Sequence, residues 1–168
     1  MKLFLLLIVL FPLAGFLVNG LGRKVFSKRF IAFNACGQIL ASLIFSIIAF
    51  LTVTETGGQV MTYFDFISVG TLKIPFAFQI DQLSAIFLLI ITGVGFLIHV
   101  YSAAYMHEER PEHYGRYFSF LNLFVFSMLL LVLGANYVIL FIGWEGVGLC
   151  SYLLIGYWFK NNEYNTNT

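Results

Sequence analysis

Charged residues fall in short clusters along this chain, and long apolar stretches separate them. No formal charge occurs in Leu3 to Gly22, Phe30 to Thr54, Gln82 to Met106 or Tyr117 to Trp144, where His99 is the one imidazole. A helix of about 20 apolar residues crosses the hydrocarbon core of a bilayer. The pattern predicts transmembrane helices over about 3–20, 30–53 and 82–106, with Pro12 inside the first. Proline is tolerated there when a neighbour satisfies the carbonyl it frees. The stretch from Tyr117 to Phe159 would be about 64 Å long as one helix, so it must turn once. Leu133-Gly134-Ala135-Asn136 carries the turn chemistry in its middle, which gives two further helices at about 117–133 and 137–159.

The long loop from Glu55 to Asp81 has its own pattern. Val60 to Phe66 and Leu72 to Phe78 are β-prone runs separated by Ser68, Gly70 and Thr71, so a β-hairpin is expected at about 60–79. Pro75 confines its strand to an edge. The fold class read from the chain is an all-α polytopic membrane protein of five transmembrane helices, with one hairpin on the outer face. Orientation follows from the cations. Arg23, Lys24, Lys28, Arg29, Arg110, Arg116 and Lys160 would share one side, against Lys2 and Lys73 on the other. Positive residues stay inside, so the N-terminus is expected outside.

Composition narrows the classes further. The chain is 60% hydrophobic and only 10% charged, against about 25% charged in soluble domains. A net charge of +1, with no basic cluster beyond Arg23 to Arg29, argues against nucleic-acid binding. Cys36 and Cys150 lie in apolar runs and read as small buried hydrophobes. The first apolar run is too long for a signal-peptide core, so no cleavable leader is expected.

Glu145 breaks the pattern. It stands in Gly143-Trp144-Glu145-Gly146-Val147-Gly148, inside the fifth predicted helix and roughly 4.5 Å from its midpoint. An acid there costs roughly 2.5 to 3.5 kcal/mol on insertion scales. Its carboxyl is either protonated by desolvation or facing a polar cavity or a basic partner, and an acid between those states suits a proton relay. The plain alternative is a neutral carboxyl that only hydrogen-bonds a neighbouring helix. Helical spacing puts Phe141, Gly148 and Tyr152 on the same face, where Gly148 leaves room and Tyr152 can donate. Gly143, Gly146 and Cys150 form a small-residue stripe of the kind used for tight helix packing.

Other candidates are weaker. His99 has the intrinsic pKa for proton transfer, although a lone histidine among aromatics is more often a satisfied structural residue. Asp81 opens the third helix and reads first as its cap, second as a supporting proton-path residue. His107, Glu108, Glu109, Glu112 and His113 have metal-ligand residue types but no zinc spacing, so no metal is assigned. No phosphate loop, nucleophile elbow or dinucleotide fingerprint occurs. Nothing on this chain is expected to bind NADH, flavin or an iron–sulfur cluster.

The stretch Phe141 to Gly156, FIGWEGVGLCSYLLIG, closely resembles the signature of the largest antiporter-like, proton-pumping membrane subunit of respiratory complex I. That family is called subunit L of NADH-quinone oxidoreductase in bacteria and chain 5 in organelles. Asp81-Gln82-Leu83-Ser84, GVGFLIHVYSAAYM from Gly93 to Met106, and RYFSFLNLF from Arg116 to Phe124 resemble it too. The likeness is specific from Asp81 to Phe159; before Asp81 only the order of segments and the hairpin agree. The resemblance implies proton translocation coupled to electron transfer from NADH to quinone. The redox cofactors (NADH, flavin, iron–sulfur clusters, quinone) would sit on other subunits, and other complex I membrane subunits would be the partners. It implies that Glu145 is a proton-channel residue, paired in the family with a lysine on a later membrane helix. It also divides the chain into residues 1–116, an N-terminal region, and 117–168, the start of an antiporter-like domain. Family members are several times longer, so an N-terminal fragment is expected, unable to conduct protons by itself. The host membrane would be a bacterial inner membrane or an organelle inner membrane. Two other readings stand beside this one: the large subunit of a multi-subunit sodium/proton antiporter, and a structural membrane scaffold.

Overall fold

The computed structural model of the chain describes residues 1–157. Its elements are α1 (Lys2–Gly22), α2 (Lys28–Thr56), β1 (Gln59–Val69), β2 (Leu72–Ile80), α3 (Gln82–Tyr105), α4 (Pro111–Leu133) and α5 (Tyr137–Ile155). All five helices are long and apolar enough to cross a membrane. The chain is a multi-pass membrane protein.

Three helices differ from the sequence reading by more than two residues at an end, each for a local reason. The fourth helix begins at Pro111 instead of 117, because Pro111 occupies its first turn and Glu112 favours the positive helix end. Charge marked the membrane edge there, whereas the helix runs past it. The fifth helix ends at Ile155, where Gly156 leaves helical geometry. Trp158, Phe159 and Lys160 lie outside the described residues. The second helix runs longer at both ends than 30–53, from its Ser27 cap to Gly57. Gly57 adopts φ 77°, a left-handed value that favours glycine and stops the helix.

The helices pack through small and apolar stripes. On α1 the buried residues are Leu5, Ile8, Pro12, Gly15, Asn19 and Gly22, together with Val9. Apart from Val9 they follow a heptad seam, which turns one face to α2 and α4. Pro12 has no N–H to bond the Ile8 carbonyl one turn back. Ser42 of α2 supplies the missing donor, with its Oγ 2.8 Å from Ile8 O. Helix α4 is the most enclosed: half of its spanning window is buried, against 17% for α5. Helix α5 thus stands at the edge of the bundle, held chiefly by α4.

The hairpin is antiparallel, pairing Val69 with Leu72 across Gly70-Thr71. Gly70 has φ 57° at the first turn position, as a type II′ loop needs. Two register irregularities, between Thr62 and Phe64 and between Asp65 and Ile67, bend β1. The inner face carries Tyr63, Phe76 and Phe78 in edge-to-face contact. Tyr63 Oη donates to Lys2 O at 2.7 Å, tying the hairpin to the start of α1. Ala135 N donates to Ala77 O, and Asn136 Nδ2 donates to Pro75 O at 2.8 Å, tying it to the α4–α5 turn. The start of α1, the hairpin and the α4–α5 turn therefore gather at one end of the bundle.

Candidate functional site

Asn136 positions α5. Its side-chain oxygen accepts from Val138 N and Ile139 N, which satisfies two donors of the first turn. From there α5 leans on α4 through Ile139, Gly143, Gly146 and Cys150. A Cβ at Gly143 would meet Leu131 N at 2.5 Å, and one at Gly146 would meet Ser127 Oγ at 2.5 Å. The two backbones approach as closely as missing side chains allow, so the small-residue stripe serves packing.

Glu145 lies opposite that stripe. At about 100° per residue, Phe141, Glu145, Gly148 and Tyr152 fall on the far side of the helix from Gly143 and Cys150. All four are exposed on the surface of the chain, Tyr152 to 75%. A Cβ at Gly148 would meet nothing within 4 Å. Among the described residues Glu145 makes no side-chain hydrogen bond or ion pair, and Tyr152 does not donate to it. With α5 spanning Tyr137–Ile155, Glu145 sits one residue from the helix centre. The sequence placed these four residues on one face, and the structure leaves that face uncovered by the chain's own helices.

His99 is elsewhere. It is fully buried on α3, with Nδ1 2.7 Å from Gly95 O and Nε2 2.8 Å from Asn122 Oδ1 of α4. Because Glu145 points away from α4 and His99 toward it, the two are not brought together. Asp81 caps α3: Ser84 N donates to Asp81 Oδ1 at 2.7 Å, and Asp81 N donates to Ser84 Oγ at 2.8 Å. The Ser84 N–H bond, helped by the Ser84 hydroxyl, holds the Asp81 carboxyl below the usual aspartate range. The side-chain hydrogen bonds of Asp81 are those of the cap. Where the loop after α3 meets the first turn of α4, His113 Nδ1 lies 3.8 Å from Glu109 Oε2, and among the described residues no three metal-ligating side chains converge.

The sequence reading passed over a set of uncharged polar residues inside the bundle. Gln38 Nε2 donates to Asn34 Oδ1 at 3.3 Å, and Asn34 Nδ2 donates to Asn19 Oδ1 at 3.0 Å. Asn19 and Asn122 are fully buried. A Cβ at Gly15 would fall on the Asn122 amide nitrogen, so α1 and α4 meet at the level of His99. The available signal was amide side chains within charge-free runs, with Asn19 on the heptad seam of α1.

Comparisons with known proteins agree with this architecture. Residues 66–118 match the family described as NADH-ubiquinone oxidoreductase (complex I), chain 5 N-terminus. Residues 134–167 match the family described as NADH:quinone oxidoreductase/Mrp antiporter, transmembrane. The NADH-quinone oxidoreductase subunit L of Rickettsia conorii is 40% identical over 161 residues, 95% of this chain and 24% of that protein. That of Escherichia coli K12 is 41% identical over 162 residues, covering 94% of this chain and 26% of the relative. That of Mycobacterium tuberculosis reaches 57% identity over 96 residues, 57% of this chain and 15% of the relative. The chain thus spans about a quarter of the length of the first two relatives. Five helices long and apolar enough to cross a membrane, the hairpin and these matches make the chain similar, over nearly its whole length, to a quarter of NADH-quinone oxidoreductase subunit L, with regions that match the complex I chain 5 N-terminus and the NADH:quinone oxidoreductase/Mrp antiporter families.

Proposed function

We propose that this chain is part of a proton-translocating membrane subunit of NADH:quinone oxidoreductase, and that Glu145 binds the translocated proton. The observation that carries the reading is a carboxylic acid at the centre of α5 on a face its own chain leaves bare. A carboxylate turned to lipid is costly, so that face calls for protein cover bearing a polar or basic group. With Gly148 open beside it, a neighbouring helix or water has room to approach the carboxyl. Such a neighbour sets whether Glu145 holds or releases its proton, which is the requirement for a relay. NADH, flavin, iron–sulfur clusters and quinone belong on other subunits, and other complex I membrane subunits are the partners. The N-terminus and hairpin face outward from a bacterial inner membrane, in keeping with the excess of Lys and Arg at the opposite end.

The test is Glu145→Gln in the assembled complex, which keeps size and hydrogen bonding but removes the titrating group. The complex assembles and oxidises NADH, and protons moved per quinone reduced fall. An unchanged ratio defeats the assignment of Glu145. The antiporter reading draws support from the family description over residues 134–167, which names both systems. Sodium-dependent proton efflux without any effect on NADH oxidation would favour it.

A further inference from the structure

His99 and Asn122 meet in an arrangement with two settings. Both ring nitrogens of His99 face oxygens, Gly95 O and Asn122 Oδ1. A neutral imidazole has one N–H and one lone pair, so only the imidazolium can donate to both. With that orientation Asn122 Nδ2 is buried and has no partner among the described residues, and the same holds for Asn19 Nδ2 on α1. Turning the Asn122 amide by 180° exchanges its nitrogen and oxygen. Nδ2 then donates to the lone pair of a neutral His99, and Oδ1 turns to the α1 face that carries Gly15 and, one turn on, Asn19. Each protonation state of the ring thus selects one amide orientation.

We propose that His99 and Asn122 form a proton-binding site inside the bundle, in which uptake of one proton by His99 Nε2 reverses the Asn122 amide. The proton comes from water and returns to it, and no other bond changes. The ordered chain Gln38 to Asn34 to Asn19 ends in the unpartnered Asn19 Nδ2, a donor suited to the amide oxygen of the neutral setting. The titratable groups on the packed helices leave this role to His99. Tyr117 of α4 is engaged with Ser102, and Tyr114 donates to Ala103 O. Cys36 of α2 is a half-buried thiol. Of the charged groups, Lys2 on α1, Lys28, Arg29 and Glu55 on α2, and Glu112 and His113 on α4 stand in the end turns of their helices, and Arg116, in the second turn of α4, is engaged with the Tyr157 carbonyl and ring.

The site is tested by infrared difference spectroscopy of the whole membrane complex between about pH 5 and 9. Wild type minus His99→Gln shows imidazole bands and an asparagine carbonyl band that change with one midpoint. Asn122→Leu removes the carbonyl component and changes the proton concentration at the midpoint by about tenfold. Superposable spectra for wild type and H99Q overturn the proposal, as does an Asn122→Leu midpoint equal to wild type. If H99Q does not assemble, Asn122→Leu and Asn122→Ser measured against wild type decide in the same way. Pumping is not the readout, so a failure here leaves Glu145 untouched, and a failure of Glu145 leaves this site standing.

Discussion

Pro12 and Ser42 give a prediction whose sign depends on the pair. Pro12 cannot donate to Ile8 O, and Ser42 Oγ does so at 2.8 Å in a fully buried position. Ser42→Ala removes that donor and leaves a buried carbonyl unmet, a loss of about 1–3 kcal/mol in general and nearer 0.6–1.7 between membrane helices. At roughly 2–4 °C per kcal/mol for a chain of this size, thermal unfolding should fall by a few degrees. Pro12→Ala restores an N–H one turn after Ile8, so the helix satisfies its own carbonyl. In that background Ser42→Ala should cost little, leaving a coupling of about 1 kcal/mol in the double-mutant cycle. The assay is unfolding of the purified membrane protein in detergent for wild type, both single variants and the double variant. If Ser42→Ala costs the same in both backgrounds, Ser42 is not serving the carbonyl that Pro12 frees.

On α5, Gly143→Ala and Gly148→Ala gain the same helix propensity, about 1 kcal/mol, but only the first drives a methyl into Leu131 backbone. The first should therefore be less stable than the second by about 1–3 kcal/mol in the same unfolding assay, and equal midpoints would contradict the packing described for α4 and α5. At the other end of α3, Asp81 is held ionised by Ser84, so its folded pKa is depressed. Its contribution is complete above the unfolded value near about pH 4 and is lost as pH falls through the folded value. Asp81→Ala should cost about 0.5–2 kcal/mol at neutral pH, and unfolding measured down an acid series should show the variant converging on wild type. Glu145→Gln, by contrast, should leave unfolding near wild type while lowering proton yield, which separates its role from a structural one.

Much of the fold was legible because membrane helices announce themselves by what they exclude. The charge-free runs located every helix, and Gly70-Thr71 located the hairpin turn. Charge misled at Pro111, since the bilayer fixes where charge stops and the helix is free to extend past it. Gly156 carried a helix stop that the apolar run through Phe159 outweighed. Glu145 was conspicuous by its charge, and the small-residue stripe was legible as a packing face, but that α4 is what packs there came only from the structure. Asn19, Asn34, Gln38 and Asn122 were passed over because a neutral amide does not interrupt an apolar pattern. Their convergence depends on helix pairing, which periodicity within a single helix does not encode.

The clasp between the hairpin and the α4–α5 turn has a bearing on biosynthesis. Asn136 donates to Pro75 across 61 residues of chain, and Ala135 pairs with Ala77. A chain made from its N-terminus presents the hairpin first, while these partners are still on the ribosome. Until α4 and α5 are inserted, β2 keeps an open edge able to pair with other strands. These two bonds can form only once the α4–α5 turn has been made and brought to the hairpin, so the pairing of that edge is completed late in the assembly of these five helices.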